Sequence, residues 1–161
     1  MSLKKHRMEE AYEEAVKELK RVDHIFYVSL KYTRTADMMK HMLDRLINTF
    51  QFGILSLLRK AKEEKDIDEV PDNVGLQAKL ALETFKEQEV QDYIHFYLKL
   101  RKVNRATFTK REEYRRHVTM TVALDNGEVV EVNIDSLKEN YELAKEFLRY
   151  VKTTIRGEED I

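Results

Sequence analysis

The chain has 161 residues and a formal net charge of −1, with 42% hydrophobic and 37% charged residues and no cysteine. That length suits one domain with a self-sufficient core, and no run approaches the roughly 18 apolar residues of a membrane span. The missing cysteine excludes disulfides, thiolate nucleophiles and cysteine-based zinc sites together.

One proline and four glycines leave few breakers, so long helices are expected. Met8, Ala11, Tyr12, Ala15, Val16 and Leu19 recur at helical spacing and predict an amphipathic helix over 4–20. A second stripe runs through Val22, Phe26, Ser29, Thr33, Ala36, Met39, Leu43, Leu46, Phe50, Ile54 and Leu57 without a slip. It predicts one helix over 24–64 with Asp23 as N-cap. The alternative breaks the chain at 32–35, with Thr35 as N-cap. Gly53 inside this helix costs about 1 kcal/mol against alanine unless a neighbouring helix needs the close approach.

Residues 66–73 read as a loop, because Pro71 halts helix propagation. Short helices follow over 74–85 and 89–103, the second with Val90, Tyr93, Ile94, Tyr97 and Leu98 inward. Residues 105–117 read as a basic connector.

The period then changes from helical to alternating. Val118, Met120, Val122 and Leu124, then Asp125-Asn126-Gly127, then Val130, Val132 and Ile134 predict a β-hairpin over about 118–134. A two-residue Asn-Gly loop would set Val122 opposite Glu131. A three-residue Asp-Asn-Gly loop sets Val122 opposite Val130, Met120 opposite Val132 and Val118 opposite Ile134. Directly opposed residues share a face, so the three-residue loop is expected, with Gly127 left-handed. Ser136 and Glu139 have the spacing of a capping box for a last helix over about 137–155. Its inward residues are Leu137, Tyr141, Ala144, Leu148 and Val151. Gly157 can terminate it, and 156–161 read as a frayed tail.

The expected fold is mainly α: a single domain over 1–161, a bundle of about five helices carrying one β-hairpin before the C-terminal helix. A lone hairpin is marginal in water, and a 41-residue helix would project from a small domain. Both features call for a cover, and a second copy of the chain, as a homodimer, would supply it.

Charge is the clearest pointer to a partner. Residues 99–117 hold eight Lys or Arg against two Glu, about +6 in a chain whose total is −1. In one reading Arg101, Lys102, Arg105, Lys110, Arg111, Arg115 and Arg116 contact nucleic-acid phosphates, while Phe108 and Tyr114 offer faces for base stacking. In the other these charges are a solvated helix end complementing the dipole, some of them paired with the acidic helices. A sequence pI near 6.5 weighs against a dedicated nucleic-acid binder.

Five residues separate Arg111 from His117, and six separate Arg34 from His41. An arginine that binds phosphate and a histidine that moves a proton could cleave RNA through its 2′-hydroxyl. Such a pair in a four- or five-helix bundle resembles the HEPN (higher eukaryotes and prokaryotes nucleotide-binding) family. The resemblance implies a dimeric RNase or a partner of a nucleotidyltransferase, with Arg111 or Arg34 on phosphate and His117 as acid or base. The family places the pair at the start of a bundle helix. Here Arg111 and His117 precede a strand, and Arg34 and His41 are expected in mid-helix. Residues 27–37 and 113–120 also look like stretches of archaeal helical proteins of unassigned activity. The surplus of Lys and Glu without Cys suits a thermophile and a helix-rich protein alike.

Asp37, His41 and Asp44 share a helix face, and Asp92 and His95 another, but no paired Glu-x-x-His or His-Glu-x-x-His element accompanies them. No metal is expected, and surface histidines beside aspartates are the simpler account. Met38, Met39, Met42 and Met120 read as core filling. Tyr27, Tyr32, Tyr93 and Tyr97 are expected at the core boundary. Without a G-x-G-x-x-G, a Walker loop or a G-x-S-x-G elbow, no dinucleotide or nucleotide cofactor is expected. The opening Met-Ser-Leu-Lys-Lys-His is too polar for a secretory signal, so the cytoplasm is the expected compartment. The first functional expectation is thus a cytoplasmic helical interaction protein without catalysis of its own. The alternative is an RNA-binding or HEPN-like RNA-processing protein working through 99–117.

Overall fold

The computed structural model describes residues 3–31, 36–106, 108–111 and 119–157; of residues 3–5, 29–31 and 108–111 it describes the backbone alone. In chain order the elements are α1 (Leu3–Lys31), α2 (Ala36–Glu63), α3 (Val74–Thr84), α4 (Gln88–Arg105), β1 (Phe108–Arg111), β2 (Thr119–Ala123), β3 (Val129–Asn133) and α5 (Ile134–Arg156). The fold is the expected helical bundle with an antiparallel hairpin before the last helix.

The favoured single helix over 24–64 does not form; α1 ends at Lys31 and α2 begins at Ala36, as the alternative break at 32–35 has it. α1 continues straight through Asp23, which therefore caps nothing, and α2 begins at Ala36. The two lie antiparallel: Glu18 meets Arg45 and Asn48, Ser56 donates to the Met8 carbonyl at 2.8 Å, and Arg59 donates to the Arg7 carbonyl at 2.9 Å. The second stripe stays in phase across the break because each helix buries one face against the other. Val22, Met39, Leu43, Leu46, Phe50, Ile54 and Leu57 are all in the core.

α4 runs antiparallel to α2, from Tyr97 donating to Gln51 at 2.9 Å to Asn104 donating to Asp44 at 2.8 Å. α5 runs antiparallel to α1: Tyr141 near its start donates to Asp23, and Arg156 at its end forms a fork with Glu9. Phe50 of α2 stacks on Phe147 of α5 at 5.1 Å between ring centroids, and Tyr93 of α4 tilts against the same ring. This aromatic cluster ties three helices together.

The sheet has three antiparallel strands in the order β1-β2-β3, one more than the hairpin expected. The added strand is Phe108–Arg111, inside the expected connector, and Lys110 pairs with Met120 and Arg111 with Thr119. The hairpin register is as expected: Met120 opposite Val132 and Val122 opposite Val130. Gly127 has φ +88°, and its amide donates to the Leu124 carbonyl at 3.0 Å. Of the expected third pair, Ile134 opens α5 and Val118 lies outside the described residues. The helix starts early because Asn133, not Ser136, is its N-cap. The Asn133 side chain accepts from the Ser136 amide, and the Ser136 hydroxyl accepts from the Asn133 amide. Gly157 terminates it with φ +93°.

Both grounds for seeking a second copy are met within the chain. The long helix folds back on itself. Met120, Val122 and Val132 of the hairpin are buried in the same core as the helices. Lys99 of α4 clamps Glu128 at the hairpin tip at 2.8 Å and holds that carboxyl below its ordinary range.

Candidate nucleic-acid interface

α4 ends on Arg101, Lys102 and Arg105. Lys102 and Arg105 are exposed in its last turn, where positive charge complements the helix dipole. The Arg101 guanidinium lies 5.7 Å from the Tyr97 ring centre. Burial pushes the Tyr97 hydroxyl above its ordinary value, and Arg101 pulls the other way.

Lys40 of α2 donates to the Asn104 carbonyl at 2.9 Å, and Asp44 accepts from the Asn104 amide. These bonds set the end of α4 against the first turns of α2. On the neighbouring side of those turns, α1 and α2 enclose a cleft of about 350 Å³. Lys20, Arg21, His24 and Ile25 line it from α1, and His41 and Arg45 from α2.

Beneath it sits Glu18, only 5% exposed. Its carboxylate accepts from Arg45 at 3.2 Å, from Asn48 at 3.3 Å and from Arg21. Glu18 thus offsets part of the charge of the two arginines and fixes where they lie. Among the described residues, Lys20, His24 and His41 make no ion pair. Of the nearby acids, Asp23 accepts from Tyr141 and Asp44 from Asn104, while Asp37 lies one turn before His41 in α2. Tyr27, 58% exposed, follows His24 by three residues and so lies on the same side of α1.

This cleft is the feature that the sequence reading missed. With 24–64 drawn as one rod, Lys20–His24 and His41–Arg45 stand far apart. The antiparallel return of α2 brings them face to face.

The other candidates fall as follows. The backbone of Lys110 and Arg111 lies in β1. Arg34, Arg115, Arg116 and His117 lie outside the described residues, as do Tyr32 and Tyr114. His41, expected in mid-helix, sits instead in the second turn of α2. Asp92 accepts from Gln88 at 2.7 Å, His95 is exposed, and among the described residues no three His, Asp or Glu side chains gather as a metal site. Met39, Met42 and Met120 are core, as are Tyr93 and Tyr97. No helix among the described residues is long and apolar enough to cross a membrane. No protein-family model, curated protein or solved structure matches the chain.

Proposed function

We propose that this protein binds RNA at the basic end of its bundle. One observation carries the reading: a cleft lined by Lys20, Arg21, His24, His41 and Arg45 opens at the same end as Arg101, Lys102 and Arg105. Two basic surfaces flanking the first turns of one helix suit a ligand with several phosphates in a row better than a single anion. Tyr27, on the same side of α1 as His24, brings an aromatic ring to this end of the bundle, and stacking of an unpaired base there would favour single-stranded or looped segments over a regular duplex. In sequence, the run over 99–117 that includes the end of α4 holds eight Lys or Arg against two Glu.

The test is fluorescence anisotropy with a labelled RNA hairpin at low and at moderate salt. Binding should be tightest at low salt, and Lys20→Glu and Lys102→Glu should each weaken it. No binding even at low salt would rule the reading out, because phosphate contacts are strongest there. Cleavage of the same RNA, lost in His41→Ala or His117→Ala while binding persists, would extend the reading to a HEPN-like RNase.

A further inference from the structure

A larger cleft, of about 660 Å³, lies at the opposite end of the bundle, between the start of α1, the end of α2 and the loop that leads to α3. Arg7 and Arg59 both line it. Arg59 directs one donor to the Arg7 carbonyl at 2.9 Å. Among the described residues neither guanidinium has a carboxylate within ion-pair distance. Burial first, and Arg7 second, pull Arg59 below its ordinary value, with Glu10 opposing. A partly buried guanidinium thus sits beside a second, exposed one of like charge, an arrangement that an anion would relieve.

The rest of the cleft limits what that anion can be. Leu55, Ile67, Val70 and Pro71 supply an apolar wall. Glu63, Asp68 and Asp72 also line it, and Lys62 is taken by Glu69 at 3.1 Å. The acidic loop would repel a polyanion, so an RNA strand does not belong here. The loop is also fixed in place: Gln77 donates to the Pro71 carbonyl at 2.8 Å, and Lys65 holds φ +65° at the end of α2.

We infer that this cleft binds a small organic oxyanion, a carboxylate or a phosphate monoester with a compact apolar body, through Arg7 and Arg59. A planar guanidinium matches either group with paired N–H donors. The site is independent of the basic end.

The experiment is an NMR titration of the full chain, once with isobutyrate and once with inorganic phosphate. It reads the Arg7 and Arg59 Nε–H signals and the backbone amides of residues 65–72, far from the RNA-binding end. Saturable shifts there with either probe support the site, and the responding probe names the class. Arg7→Gln, an exposed position that leaves the fold intact, should weaken that probe about tenfold, the loss expected for one charge-assisted bond. Arg59→Gln should abolish it. Absence of saturable shifts with both probes, or an Arg7→Gln titration that matches wild type, would overturn the inference. RNA binding can fail or succeed without changing this readout.

Discussion

Gly53 and Phe147 approach so closely that a methyl group on Gly53 would come within 2.5 Å of the ring's Cε2. The ring cannot retreat, being fully buried between Phe50 and Tyr93. Gly53→Ala gains about 1 kcal/mol of helix propensity, while overpacking costs about 1–3 kcal/mol. This contact belongs at the upper end of that range, so a net loss of about 1–2 kcal/mol is expected in urea denaturation. Adding Phe147→Leu should relieve the overpacking and bring Ala at 53 level with Gly or ahead of it, by up to about 1 kcal/mol.

Gly53 was legible in the sequence because a glycine inside an apolar helical stripe signals a neighbour that comes too close for a side chain. The hairpin register was legible because alternation leaves one loop length that puts Met120, Val122, Val130 and Val132 on one face. The break between α1 and α2 was legible only as the alternative at 32–35, which nothing in the pattern favoured over one rod. An apolar stripe that keeps phase looks the same in one rod as in two antiparallel ones, and residues 32–35 contain no Gly or Pro. β1 was hidden because Phe108–Arg111 carries too much charge to alternate visibly. Asn133 and Ser136 both have capping chemistry, three residues apart, and only β3 running directly into α5 decides between them. The basic cleft needs that break and an antiparallel return of α2, so the single rod hides it.

Glu18 is a buried carboxylate held by Arg45, Asn48 and Arg21. Glu18→Leu leaves Arg45 facing apolar surface without its counter-charge. Because the Arg45 side chain is 30% exposed, water relieves part of the penalty. A loss of about 1–3 kcal/mol is expected, below the full cost of orphaning a buried ion. The double variant Glu18→Leu with Arg45→Met should recover more than half. Additive losses in the cycle would show that the pair is not coupled.

A side chain at Gly127 has open space around it, since a methyl group there meets nothing within 4 Å. Any effect of Gly127→Ala therefore comes from forcing φ +88° on an L-residue, worth about 1–2 kcal/mol. Gly127→Asn should cost less, because asparagine tolerates the left-handed region. Equal thermal midpoints for the Ala and Asn variants would contradict this account.

Burial raises four tyrosine hydroxyls, those of Tyr93, Tyr97, Tyr141 and Tyr150, and so makes stability depend on alkaline pH; Tyr93 and Tyr141 illustrate it. Burial first, and then Glu89 beside Tyr93 or Asp23 beside Tyr141, push both hydroxyls up to about 12 from an ordinary 10.0. The fold thus favours the protonated, neutral form. Its contribution is complete below pH 10.0 and is lost as pH climbs through about 12. Denaturation midpoints should hold level up to the lower value and decline above it, and Tyr141→Phe should shallow the decline. An unchanged slope in that variant would assign the titration elsewhere.

If RNA lies across both basic surfaces, Lys20 and Arg105 contact different phosphates and their losses add. Each contact with a single strand contributes about 0.7 to the slope of log K against log salt. Lys20→Gln and Arg105→Gln should therefore each flatten the slope by about that amount, and the double variant by about twice it. Lys79→Gln, exposed on α3 away from both surfaces, should leave the slope at the wild-type value. A flatter slope for Arg105→Gln alone would confine the strand to the end of α4 and take the α1–α2 cleft out of the interface.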